Sequence, residues 1–169
     1  MSHAKNKVDW CLKKAEKEFK ETGKHRGLIK IKPDKILAEN HLKKAEHYLK
    51  ATDLLKKDFS DISTSTVFYT MYQCFLAIAA KFGYQSGNQE CTFALMYHLS
   101  EENKIDFPKE LLDKVAALDV QKEKDASTST EIREEYQYGT DLSIEEALYK
   151  ELFLLAQEII DQTKKIMEK

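Results

Sequence analysis

The sequence predicts an all-α, up-down helical bundle of about five to six helices, and three observations carry that expectation. First, residues 67–86, VFYTMYQCFLAIAAKFGYQS, offer almost no polar face between Val67 and Phe82. A helix apolar nearly all round belongs at the centre of a bundle, where neighbours cover every side. Second, this stretch is flanked on both sides by charged segments whose apolar residues recur at helical spacing. Third, the 169 residues include only 5 glycines and 2 prolines, which disfavours turn-rich sandwiches and glycine-lined nucleotide folds. A chain of this length buries roughly 70% of its unfolded surface, enough for one self-sufficient core. We therefore read residues 1–169 as one domain, with an N-terminal helix and basic connection over 1–34 and the core bundle over 35–169.

The elements follow in order. Residues 4–22 place Val8, Cys11, Leu12, Ala15 and Phe19 on one helical face, and Gly23 ends that helix. GKHRGLIKIKP then crosses as a basic connection, in which Ile29 and Ile31 alternate with lysines and favour a short extended run. Pro33 and Asp34 open a helix over 35–57 with Ile36, Leu37, Leu42, Ala45, Leu49 and Leu55 as its apolar set. DISTST, at 61–66, offers N-cap residues for the apolar helix, which ends near Gly83 with QSGNQ as the turn. Residues 90–101 resume a helix through Cys91, Phe93, Ala94, Leu95, Tyr97 and His98. Pro108 suits the first turn of a short helix reaching Leu118. DVQKEKDASTST, at 119–130, has no apolar period and reads as a mobile loop. Ser143 and Glu146 form a capping-box pattern before a last helix with Leu148, Leu152, Leu155, Ile159, Ile160 and Ile166 on its stripe.

Charge is unevenly spread along the chain. Residues 1–60 hold 16 Lys/Arg against 9 Asp/Glu, whereas residues 61–169 hold 11 against 20. Such a dipolar chain suits pairing with itself or with an oppositely charged partner. Cys11, Cys74 and Cys91 lack the close spacing of a structural zinc site, so no metal and no cofactor is expected. Cys74 reads as a small core residue. The longest apolar run is short for a span and contains Tyr, Thr and Gln, so no membrane association is expected. MSHAKNKVDW has no apolar signal region, and a cytoplasmic location is expected.

Three groups of residues carry candidate chemistry. GKHRG lacks the spacing of a phosphate-binding loop, but Lys24, Arg26, Lys30 and Lys32, within the basic patch 24–35, would attract RNA or another phosphate ligand by charge. Arg133 could stabilise a developing phosphoryl charge and Tyr138 could orient a phosphate. In a helix that includes Arg133, Tyr138 stands about 140° further round, which permits only an oblique pairing. Tyrosine is also a weak proton shuttle near neutrality, with a reference pKa of about 10. His98 reads as a packed, hydrogen-bonded residue sooner than a catalyst.

The succession VDWCLKKAEKE, ENHLKKAEHYLKATDLL, STVFYTMYQCFLAIAAKFGYQS, ECTFALMYHL and IREEYQYG before a final amphipathic helix resembles the HEPN domains, especially compact archaeal and bacterial members. The likeness covers about residues 38–165. It implies a helical bundle that is often a homodimer and often encoded beside a nucleotidyltransferase, sometimes as a toxin–antitoxin pair. Competent members are metal-independent ribonucleases whose signature is an arginine followed four to six residues later by a histidine. Arg133 matches that arginine in placement. The histidine is not matched: Tyr138 stands in its window, and no histidine follows to the C-terminus. Relatives often carry another histidine where this chain has Gln89. Both departures remove the imidazole best suited to proton transfer near pH 7. The expected function is thus a non-catalytic interaction or nucleotide-binding module, dimeric and partnering a nucleotidyltransferase. The alternatives are a toxin-like ribonuclease using Arg133, Tyr138 and His98, and an RNA-binding module using the basic patch.

Overall fold

The structure is a computed structural model that describes residues 2–118 and 139–169. Six helices run among these residues: α1 (His3–Thr22), α2 (Lys35–Leu55), α3 (Ser63–Lys81), α4 (Gln89–Glu101), α5 (Lys109–Ala117) and α6 (Glu146–Glu168). Two short strands, β1 (Leu28–Lys30) and β2 (Tyr84–Ser86), pair antiparallel with Leu28 opposite Ser86 and Lys30 opposite Tyr84. The expected loop of 119–130 and the charged segment of 131–138 lie outside the described residues.

The apolar helix α3 is central, as its composition requires. Its large buried residues, among them Val67, Phe68, Met71, Tyr72, Phe75 and Ile78, share one broad face, and the small buried residues Thr70, Cys74, Ala77 and Ala80 carry the burial round the flanks. Helix α2 packs along it antiparallel. His41 Nδ1 lies 2.7 Å from Gln73 Oε1, Tyr48 stacks on Tyr69, and Thr52 Oγ1 donates to Thr66 Oγ1 at 2.7 Å. The side chains that α2 buries are Ala38, Ala45 and Thr52, one every seventh residue. These small groups let the two helix axes approach closely, while Leu42 and Leu49 pack half-buried at the margins. Ile36, expected on the apolar set, is 73% exposed. Helix α6 covers another flank and runs parallel to α3. Lys81 Nζ donates to the carbonyls of Ile166 and Met167, satisfying acceptors that the last turn of α6 leaves open. The buried stripe of α6 is Tyr149, Leu152, Ala156, Ile159, Ile160, Thr163 and Ile166, with Leu148 and Leu155 only partly covered.

Helices α4 and α5 close the remaining side. Phe75 meets the rings of Phe93 and Phe107 edge-on, at 5.5 and 5.7 Å between centroids. Helix α1 packs on α4 and β1 and brings Val8 and Cys11 into the core. It buries Ala4, Val8, Cys11 and Ala15, whereas Phe19, expected on that face, is 57% exposed. A disulfide joins Cys11 of α1 to Cys91 of α4 across 80 residues of sequence. Spacing alone gave no sign of this bond.

Two capping expectations need correction. DISTST does not cap α3 through a side chain: Ile62 precedes the helix in αR conformation, and Thr64 Oγ1 bonds back to the Asp61 carbonyl. Turn bonds from Ile62 N to Phe59 O and from Ser63 N to Ser60 O bring the chain in already coiled, leaving no extended residue to serve as cap. The Ser143–Glu146 capping box is likewise absent. Ile144 is buried and donates its N–H to Ser60 Oγ at 3.1 Å, which holds the segment extended until Glu145. Helix α6 therefore starts at Glu146, two residues later than Ser143 as cap would require.

Two outcomes follow from the packing. Phe75→Ala is expected to cost about 3–5 kcal/mol in denaturant unfolding, because two aromatic partners lose contact at a fully buried site. Reducing the Cys11–Cys91 bond is expected to lower stability by roughly 4–5 kcal/mol, the chain-entropy value for a loop of this length. Urea titrations with and without a dithiol reductant measure it.

Candidate basic surface and clefts

The basic connection follows a path fixed by backbone contacts. Gly23 leaves α1 in the left-handed region with φ 70° and donates its N–H to the Phe19 carbonyl. The Arg26 N–H reaches Glu18 Oε2 at 3.3 Å. At Gly27 the chain presses on α1: a Cβ there would stand 2.9 Å from the Ala15 Cβ. The Gly27 carbonyl accepts from Gly87 N, and after β1 the Ile31 N–H donates to the Gly83 carbonyl. The four expected phosphate-binding residues, Lys24, Arg26, Lys30 and Lys32, are all exposed along this path. None of their side chains forms an ion pair or hydrogen bond with another described residue. The expected extended run at Ile29–Ile31 corresponds to β1 and its continuation.

His98 occupies a different part of the molecule. It is 8% exposed on α4, with Nε2 3.6 Å from Glu102 Oε1. The other Glu102 oxygen lies 2.7 Å from Lys104 Nζ, and this ammonium is the largest reason that the Glu102 carboxyl is held below its ordinary range. Beside it, Tyr97 donates to Asp113 Oδ1 at 2.6 Å. Burial, reinforced by the Asp113 carboxylate, pushes the Tyr97 phenol well above its usual value. The arrangement ties α4 to α5 and to the loop after α4, and His98 lines neither cleft described below. Arg133 and Tyr138, the other expected catalytic residues, lie outside the described residues.

Two clefts open on the surface. One, of about 440 Å³, is lined by Asp53, Lys56, Lys57, Ser60, Ile144, Glu146 and Tyr149. Lys56 Nζ sits 5.3 Å from the Tyr149 ring, while the Tyr149 hydroxyl donates to the Thr52 carbonyl at 3.2 Å. Desolvation, with a smaller contribution from Asp53, raises the Tyr149 phenol. The other, of about 320 Å³, lies against the end of α6 between Asp106, Gln162 and Lys165. The first cleft joins residues almost a hundred positions apart, and only the tandem Lys56–Lys57 would have drawn notice in the sequence. Among the described residues no group of three or more His, Cys, Asp or Glu side chains could hold a metal ion. No helix among them is long and apolar enough to cross a membrane.

Cys74, the free cysteine, is buried against Thr163 between α3 and α6. Burial pushes its thiol up to about 12 from an ordinary 9.0. Because the folded value is raised, the stability linked to this proton is complete below pH 9 and is lost as pH rises toward 12. Urea midpoints of wild type and Cys74→Ala should therefore converge across that window as the wild type weakens. Below pH 9 the native thiol should not react with a soluble disulfide reagent on a scale of minutes.

Neither a scan against protein-family models nor a search of curated proteins finds a match to this chain.

Proposed function

We propose that the protein is a non-catalytic, HEPN-like binding module that engages a phosphate-bearing partner, a nucleotide or RNA, through its basic connection. The observation that carries this reading is the set of Lys24, Arg26, Lys30 and Lys32, exposed and without anionic partners among the described residues, on a connection fastened at Gly27 and Ile31. Cations already neutralised by neighbouring carboxylates gain little from a phosphate. Unpaired ones held in place gain the full release of condensed counterions, with little ordering of the chain to offset it. The resemblance to HEPN domains supports a homodimer as the working form and a nucleotidyltransferase as protein partner. The buried, carboxylate-facing His98 suits a packing role better than proton transfer at an open site.

Binding of a fluorescein-labelled single-stranded RNA, followed by anisotropy at 50 and 200 mM salt in EDTA, tests the reading. If all four cations meet phosphates, affinity falls about 50-fold over this range, from roughly 0.7 counterions released per contact. Changing Lys24, Arg26, Lys30 and Lys32 together to Ala should remove most of the binding and flatten the salt dependence. No binding at 50 mM salt, or binding indifferent to salt and to these changes, overturns the proposal. Shortened RNA on a gel of the same samples would favour the ribonuclease reading built on Arg133 instead.

A further inference from the structure

We infer that the Cys11–Cys91 disulfide is a redox latch that keeps α1 docked and, through α1, holds the first half of the basic connection in place; its consequence for binding rests on the reading above. The non-covalent hold on α1 includes Val8, which joins the core, and half-buried Leu12, but no buried aromatic side chain, since Trp10 and Phe19 are exposed. Its buried side chains besides Cys11 are Ala4, Val8 and Ala15, and its link to α4 beyond the disulfide includes the partly exposed pair Lys7–Glu90. Such pairs contribute little. The contacts that join α2, α3 and α6, such as Thr52–Thr66, Tyr48–Tyr69, Cys74–Thr163 and Lys81 with the end of α6, do not pass through α1. Helix α1 is therefore the element that loses most when the bond opens.

The connection depends on α1 unequally. Arg26 is positioned by its N–H to Glu18, and Gly27 by the close approach to Ala15 together with its carbonyl bond from Gly87 N. Lys30 and the following Ile31 are positioned by pairing with β2 and Gly83, on the other side of the connection. Undocking α1 thus frees Lys24 and Arg26 but leaves Lys30 and Lys32 anchored. Cys11 and Cys91 are 1% and 3% exposed, so a reductant reaches them only when α1 opens. A dithiol then acts in two steps. Its thiolate attacks one sulfur, the S–S bond breaks, and the electron pair leaves on the other sulfur. The second reductant thiol displaces the mixed disulfide, so that two electrons and two protons end on Cys11 and Cys91 and the reductant becomes a cyclic disulfide. The expected cytoplasmic setting is one in which disulfides are ordinarily transient and redox-sensing.

Hydrogen exchange read by mass spectrometry decides the matter, on full-length protein before and after complete reduction by dithiothreitol. The expected result is at least tenfold faster exchange in peptides of α1 on reduction, with α3 still protected over the same minutes. The Cys11→Ser/Cys91→Ser double variant should behave as the reduced protein without reductant, and Cys74→Ala should respond as wild type. Unchanged exchange in α1, equal loss of protection in α1 and α3, or two further free thiols in the unreduced protein each overturn the latch. A second measurement is the RNA anisotropy above. Lys24→Ala/Arg26→Ala should weaken binding in the oxidised form and have no further effect in the reduced form, whereas Lys30→Ala/Lys32→Ala should weaken both. If oxidised protein binds no RNA, the basic-connection reading fails while the exchange data still decide the latch.

Discussion

Everything in this fold answers to one constraint, that α3 has no face suited to water. A nineteen-residue helix that buries Phe68, Met71, Phe75 and Ile78 on one face and Thr70, Cys74, Ala77 and Ala80 round the others must be enclosed, and each neighbour solves part of that problem. Helix α2 contributes small residues at seven-residue intervals and so lies close. Helix α6 contributes its aliphatic stripe, and α4 with the loop after it contributes Phe93 and Phe107. The polar groups caught in this enclosure are mostly threonines, and these are satisfied locally, whereas the buried Ser63 hydroxyl finds no partner among the described residues. Thr70 and Thr163 bond to carbonyls four residues back, Thr92 bonds to Ser86 and Asn88, and Thr52 serves both its own helix and Thr66. Such back-bonding lets a hydroxyl be buried without a dedicated partner elsewhere.

The N-terminal third is held by different physics. Helix α1 seats Ala4, Val8 and Ala15 without a buried aromatic side chain, and its position is fixed further by a disulfide, a glycine that permits backbone to touch helix, and a two-stranded pairing. The basic connection that threads between these fixtures is consequently ordered without being buried. Four cations stay in solvent while the backbone beneath them is held, a combination suited to binding an anion at small entropic cost. Along the helices many surface charges are instead paired. Ion pairs such as Lys20–Glu16, Lys35–Glu39 and Lys114–Glu110 lie one helical turn apart along the helices and neutralise each other.

The candidate site was partly legible beforehand. Lys24, Arg26, Lys30 and Lys32 were visible because they cluster in sequence, and clustered charges on a connection tend to remain exposed. His98 was visible as an outlier on an aromatic helix, but its role depends on Glu102, one turn away, and on burial that spacing does not report. The cleft beside Tyr149 was not legible at all. Asp53 and Tyr149 meet because α2 and α6 both clasp α3, and no local pattern encodes a contact of that separation.

The sequence by itself determined the all-α bundle, the order of the helices among the described residues, the central place of α3 and the burial of Cys74, because hydrophobic periodicity acts within a few turns of chain. It placed the basic connection and an extended run within it for the same reason. Only the tertiary structure decided which cysteines pair, where α3 and α6 begin, and which residues of α1 and α2 face inward. Those features turn on groups far apart in the chain: Cys11 meeting Cys91, Ser60 holding Ile144, Ala45 admitting α3. Each is settled by which surfaces come together, and that follows from enclosing the whole of α3 at once, not from any segment's own preference.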